Sequence, residues 1–334
     1  MKGMVKIEKD KYLSSVTTGV EKDGVIIEGA NQGSIITEKA VYGSGKSTDD
    51  DIDAINFEQK RATATELTFT SFKKALNSVG IELSSETLKK LGIIKSSKVY
   101  TNFGVLVSDQ CSHSIKVNVF DGNSKTLFRE RYEFTGSVLK QFEDVCDFIK
   151  SNYVRRFPYD AVKAAVCNAI IHRNYSFSGS ILVNIFIDQI EILSIGGLIS
   201  QITVDDILAG ICQPRNKRLA DIFSLVNATE SYGAGMQTII SSYRNVDAKP
   251  SMKITDNLFV IKLPNVSSKA VELTAHEKKI MNYILSNTSI TRKKAEEILG
   301  VSQTMAGRVL RQLVEKEMLR QIGGSVNRKY IVNV

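Results

Sequence analysis

The spacing of apolar positions changes along the chain, and each change marks an element. Between residues 63 and 98 the period is helical. In TFTSFKKALNSVGI, Phe72, Leu76 and Val79 share a face; in SSETLKKLGI, Leu88 and Leu91 do, with Gly92 as a stop. VYTNFGVLVSD, HSIKVNVFDG and TLFRERYEF then read as three strands, with a turn at Asp121-Gly122-Asn123. VLKQFEDVCDFIKSNY is an amphipathic helix with Leu139, Phe142, Val145 and Ile149 on one side. Pro158 opens a second helix that runs to Arg173. ILVNIFI and QIEILS pair as strands around Asp188-Gln189, and Thr203 caps a short helix. RLADIFSLV and AGMQTIISSYR are further helices, and SMKITD and LFVIKLP are strands ending near Pro264. Upstream, VIIEGANQGSIITEKAVYG reads as short strands with turns, and the acidic STDDDIDAINFE as a helix start.

After a polar linker a new pattern begins. Thr274-Ala-His-Glu277 has the spacing of a capping box. Its helix turns Ile280 and Ile284 inward, and a second, from Ile290-Thr291, buries Ala295 and Ile298. Gly300 makes a tight turn, and Ser302 caps a third helix with Ala306, Val309, Leu310 and Leu313 inward. A hairpin with a Gly-Gly turn closes the chain. Three helices and a terminal hairpin are similar to a winged helix-turn-helix, whose third helix enters the major groove of duplex DNA. Gln303, Thr304, Arg308 and Arg311 would reach base edges, and Arg328 and Lys329 on the wing would meet phosphate. The same shape also serves protein contacts and dimerisation.

Charge favours the nucleic-acid reading. The 334 residues carry a net charge of +8, from 44 Lys and Arg against 36 Asp and Glu. Residues 270–334 hold eleven of the bases and six of the acids, so a fifth of the chain carries +5 of that excess. The hydrophobic fraction, 43%, excludes a disordered chain, and no apolar run has membrane-spanning length. Cys111, Cys146, Cys167 and Cys212 form no CxxC pair and read as reduced thiols of a cytoplasmic protein. The three histidines, His113, His172 and His276, have no cysteine at ligand spacing, which argues against a zinc site.

Two segments of the middle block stand out: FPYDAVKAAVCNAIIHRNYS, and Glu230-Ser-Tyr-Gly233-Ala-Gly235 before a helix. Glycines at alternate positions let backbone N–H groups approach an anion at a helix N-terminus. With Gly196-Gly197-Leu198 and Arg215-Asn216 between them, these segments resemble a family of transcriptional regulators carrying a RecG-C-terminal-like, divergent ATP-binding domain. The resemblance spans residues 63–334. It implies an α+β chain: a Bergerat-like α/β sandwich preceded by a small α/β N-terminal region and followed by the winged helix-turn-helix. The expected units are residues 1–62, a remnant of a Schlafen AlbA-type module; 63–156, a connecting region; 157–266, the divergent ATP-binding-like domain; and 267–334, the winged helix.

By the same resemblance Asn168 would hold the magnesium ion of a bound ATP. Gly233 and Gly235 would face phosphate, Gly196 and Gly197 would lie near base or ribose, and His172, Arg173, Arg215 and Glu230 would complete the site. The family has a glutamate four residues before its asparagine, where this chain has Ala164. An alanine can neither orient nor deprotonate a water, so the expectation is nucleotide binding without efficient hydrolysis. The expected function is DNA-binding transcriptional regulation, with double-stranded DNA as partner and a homodimer as its two-fold form. The alternatives are an ATPase serving DNA transactions, and an interaction module with a decayed pocket. YGSGKST, residues 42–48, lacks the first glycine of a P-loop, since Ala40 stands there.

Overall fold

The computed structural model describes residues 19–28, 57–96, 99–199, 202–226, 234–267, 274–287, 289–316, 318–324 and 328–332. The short strands and the helix start expected within residues 29–56, and the segment from Tyr42 to Thr48, lie outside these.

Two short strands, β1 (Gly19–Lys22) and β2 (Val25–Glu28), come first. Helices α1 (Thr70–Ser78) and α2 (Ser85–Lys90) follow, the latter capped by Ser84, whose hydroxyl accepts from Thr87 N–H at 3.1 Å. Strands β3 (Ile94–Ser96) and β4 (Val99–Tyr100) form a small ribbon. The next element corrects the strand expected in VYTNFGVLVSD: after β4, Asn102–Val107 is a helix, α3. Thr101 caps it, accepting from Gly104 N–H and donating to the Gly92 carbonyl. Phe103, Leu106 and Val107 are all buried, so no polar alternation marks the segment as helix or strand.

β5 (Ile115–Phe120) and β6 (Phe128–Phe134) form a hairpin, followed by α4 (Val138–Tyr153) and α5 (Tyr159–Ile171). Then come β7 (Ile181–Ile185), β8 (Gln189–Ile195), α6 (Val204–Leu208), α7 (Lys217–Leu225) and α8 (Ala234–Ser242), with β9 (Ser251–Thr255) and β10 (Leu258–Pro264) closing the block. Among the described residues the sheet has the order β1-β2-β9-β10-β8-β7-β5-β6. It is antiparallel except at β2–β9 and β5–β7. Strands from the expected 1–62 and 63–156 units are thus hydrogen-bonded into the sheet of the 157–266 block. Their apolar side chains join one buried cluster, so packing does not stop at 62 or 156.

The two faces differ. One carries Val117, Val183, Ile192 and Ile261 against the helices. On the other, a row of polar side chains crosses the strands in register. Arg131 Nε donates to Asn118 Oδ1 at 2.9 Å, and Asn118 Nδ2 to Asn184 Oδ1 at 2.9 Å. Asn184 reaches Glu191 at 3.5 Å; Lys262 lies 3.8 Å from Glu191 and 2.7 Å from Glu28, which also accepts from the Ser251 hydroxyl at 2.7 Å. Asn118 and Asn184 are buried, and each amide is hydrogen-bonded, as buried polar groups require.

A second, separate buried cluster holds the C-terminal elements: α9 (Ala275–Asn287), β11 (Ile290–Thr291), α10 (Arg292–Leu299), α11 (Gln303–Glu315), β12 (Leu319–Ile322) and β13 (Lys329–Val332). Gly300 ends α10 with φ +65°, a left-handed cap that favours glycine. Ser302 accepts from Met305 N–H at 3.4 Å, and strand order β11-β13-β12 completes a three-stranded sheet. Glu277 is fully buried, closes the capping box by accepting from Thr274 N–H at 2.7 Å, and pairs with Lys316 at 2.9 Å.

Candidate functional site

A cleft opens between α5, the ends of β8 and β10, and α7 and α8. Its geometry starts with α5. One side of that helix, Ala161, Val162, Ala165 and Val166, is buried against the core. The other turns Asp160, Ala164, Asn168 and His172 into the cleft at four-residue intervals, one per turn. The Asn168 amide makes no hydrogen bond among the described residues. It lies against Gly235 near the start of α8, where a Cβ would fall 2.7 Å from Asn168 Oδ1 and 3.0 Å from Nδ2. Gly235 therefore lets the α8 backbone close onto the amide. Glu230 and Gly233 lie outside the described residues.

The far end of α5 is held by the Arg215-Asn216 pair. Asn216 Nδ2 donates to the carbonyls of Ile171 at 2.8 Å and Arg173 at 2.7 Å. Arg215 donates from Nε to the His172 carbonyl at 3.3 Å and from Nη2 to the Gly197 carbonyl at 3.0 Å. The Ile171 and His172 carbonyls are among those the C-terminus of α5 leaves open, and a cation there also suits the helix dipole. Arg215 is 1% exposed, so its charge sits within the wall of the cleft and not at the surface. Crowding by protein, and then the Arg215 charge, hold the His172 pKa down at about 4, which leaves a neutral imidazole at pH 7.

Gly196 and Gly197 form the opposite lip. Gly196 has φ +121°, and the N–H groups of the two glycines donate to the carbonyls of Asn257 and Asp256 in the β9–β10 turn. A Cβ on Gly197 would sit 2.5 Å from the Asp256 carbonyl oxygen and overlap that of Thr255, so only glycine permits this approach. Arg173 does not line the cleft. Its buried guanidinium donates to the carbonyls of Asn174, Phe177 and Gly179 and stacks over Tyr175 at 4.8 Å, which corrects its expected place in the ligand site to a structural one. Ile192, Ile207, Met236 and Phe259 give the wall an apolar stretch, beside the polar Gln213, Ser224 and Thr238.

Two contributors gave no recognisable signal in the sequence. Lys163 lines the cleft beside Ala164 but lies in an ordinary helical run. Glu58, in the 3-10 turn Phe57–Gln59, is 3% exposed and accepts from the N–H groups of Arg218 at 2.8 Å and Leu219 at 2.9 Å. It caps α7 from 160 residues away, where the N-cap residue Asn216 makes no cap bond of its own.

In the C-terminal unit, Gln303, Thr304, Arg308 and Arg311 are exposed on α11, and Arg328 and Lys329 are exposed at the start of β13. Among the described residues, the outward side of α11 is therefore left exposed at these positions. Arg292 fixes the start of that helix, donating to the Gln303 carbonyl at 3.1 Å. Among the described residues there is no cluster of three metal-ligating His, Cys, Asp or Glu side chains, and no helix is long and apolar enough to cross a membrane.

Comparison with known proteins gives a partial match. Residues 179–263, from the approach to β7 through β10, match the family described as ATP-dependent DNA helicase recG C-terminal. No curated protein matches the chain. Among solved structures, the DIP2311 protein from Corynebacterium diphtheriae is similar with a TM-score of 0.56 at 18% identity. The match covers 83% of this chain and 64% of that one, so the chain spans under two thirds of that relative's length. At that identity the likeness concerns the fold, a mixed α+β architecture with an open sheet. The family match is a distant relationship to a helicase-associated, ATP-linked domain, over about a quarter of the chain.

Proposed function

We propose that the protein is a DNA-binding regulator whose cleft takes a nucleotide. In this reading the helix-backed sheet is a divergent Bergerat-like sandwich and the C-terminal unit a winged helix. The observation that carries the nucleotide half is the Asn168 amide, unbonded among the described residues and set against the glycine opening of α8. Asn168 Oδ1 is a neutral oxygen of the kind a magnesium ion accepts, and the α8 N-terminus favours the phosphates beside it. Magnesium would neutralise phosphate charge in the bound state. The chain's own residues do the rest: Arg215 adds a buried positive charge, neutral His172 adds none, and the apolar stretch of the wall receives a ring.

Hydrolysis is disfavoured by what stands near Asn168. Asp160 is the one carboxylate among the described cleft-lining residues, two helical turns and about 12 Å along the axis from Asn168. Ala164 lies between them. The family description supports a second reading, an ATPase serving DNA transactions.

Thermal unfolding with Mg-ATP separates these readings. A saturable stabilisation, about 2.7 kcal/mol at a hundredfold excess over Kd, is expected for the wild type and absent in Asn168→Ala. Phosphate release that needs magnesium and disappears in Asn168→Ala would favour the ATPase. For the DNA half, log affinity against log salt is expected to flatten by about one unit for each of Arg328→Ala and Lys329→Ala, and Arg308→Ala and Arg311→Ala are each expected to cost about 1–3 kcal/mol and relax sequence preference. Binding that ignores both salt and these changes would remove the DNA reading.

A further inference from the structure

The sheet ends on β6, and among the described residues no strand pairs with its outer edge. β6 is seven residues long, contains no proline, and exposes Phe128 by 50% and Tyr132 by 39%. Arg129, Glu130, Arg131 and Glu133, exposed or half-exposed as well, are charged, so this open edge is a template for a strand whose charges match its own. We propose that this edge joins two copies of the chain, β6 against β6, antiparallel about a two-fold axis through Tyr132.

The strand is complementary to itself in that register. Beyond an irregularity opposite Val119 and Phe120, residues Glu130 to Phe134 pair regularly with β5. Tyr132 and Phe134 lie on the helix side, with ring centroids 4.7 and 6.0 Å from Phe148 of α4. Arg131 and Glu133 lie on the other face, beside Asn118 and Lys116. A two-fold axis at Tyr132 sets Arg131 of each copy opposite Glu133 of the other, so two opposite-charge pairs form on one face. On the other face Tyr132 meets Tyr132, and the aromatic groups of the two copies become continuous. Moving the axis one residue either way sets Arg131 on Arg131, or Glu133 on Glu133. Like charges directly opposite destabilise a strand pair, so the sequence selects one register. The contact is isologous, as a two-fold dimer requires.

The test is the mass of the full-length protein in solution, measured by light scattering and sedimentation over a range of concentrations. A dimer is expected for the wild type. Arg131→Glu and Glu133→Arg, each of which makes two like-charge pairs, should weaken it about tenfold, and the combined exchange should restore it. Tyr132→Cys gives an independent reading that leaves these charges in place. The two sulfurs would face each other on the axis, within disulfide reach. Oxidised glutathione should then produce a covalent dimer that dithiothreitol reverses, whereas Phe128→Cys should not. A wild type that stays monomeric at every concentration would overturn the proposal. So would a dimer indifferent to the single exchanges and not captured by Tyr132→Cys. Neither result bears on nucleotide or DNA binding.

Discussion

Glu58 offers the most quantitative test of the packing around the cleft. Its carboxyl is buried under α7, and burial outweighs the two N–H groups it accepts, raising its pKa from 4.5 to about 7. Between those values the folded protein holds a proton that the unfolded chain releases. The contribution is fully present below pH 4.5 and is lost as pH rises through 7. At about 1.4 kcal/mol per pH unit, the interval corresponds to roughly 3 kcal/mol. Two histidines work the other way. His113 and His172 are both held near pKa 4, first by burial and then by Arg173 and Arg215 respectively, so each adds stability as pH rises from 4 to about 6.5. The wild-type curve alone therefore mixes opposite signs, and the reference is Glu58→Gln, which keeps the shape and cannot ionise. Urea unfolding at pH 4.5, 6 and 8 should show Glu58→Gln gaining on the wild type by about 3 kcal/mol across the series. A difference that stays constant with pH, or moves toward the wild type, would refute the claim that burial dominates this carboxyl.

Further outcomes follow from the same geometry. Gly197→Ala should cost about 2–4 kcal/mol in thermal unfolding, because its neighbours are backbone carbonyls that cannot swing aside; a neutral effect would mean that the β9–β10 turn yields. Gly235→Ala meets a movable amide instead, so apo stability should change by less than about 1 kcal/mol while stabilisation by Mg-ATP disappears; retained stabilisation would detach the nucleotide from Asn168. Glu277→Ala should lower the stability of the C-terminal unit by about 3 kcal/mol, read by near-ultraviolet circular dichroism of Tyr283 and Tyr330. Burial pushes the Glu277 carboxyl up, but bonds from Lys316 and Thr274 outweigh it and lower the pKa. Its contribution is present above the unfolded value and fades as pH falls through the folded one, so acid should erase the difference between Glu277→Ala and wild type.

Much of this was legible because it is local. The Thr274–Glu277 box, the left-handed Gly300 and the Ser302 and Thr203 caps each join residues within a few positions, and sequence spacing reports them directly. Asn168, Gly196, Gly197 and Gly235, which a joint motif brought together by resemblance, line one cleft. The failures are non-local or all-apolar. Asn102–Val107 is enclosed on every side, so its pattern has no polar face to betray a helix. The parallel pairing of β2 with β9 joins residues more than 220 positions apart without a turn to announce it. Arg173 shared a motif with His172 but spends its guanidinium on loop carbonyls. Glu58 sits at the end of an acidic stretch in which nothing distinguishes a trans-acting cap from a solvated charge.

The polar row on the open face of the sheet bears on how the chain finds its fold. Hairpins set their own alignment through their turns, but β5–β7 and β2–β9 are parallel and have none. The row bridges both junctions, through Asn118 with Asn184 and through Glu28 with Ser251. Sliding either junction by one position would bury an amide or a carboxylate without a mate, while the aliphatic side would lose comparatively little. Those few side chains thus act as alignment pins, and a version with leucines at 118 and 184 would collapse readily yet have several near-equal ways to assemble.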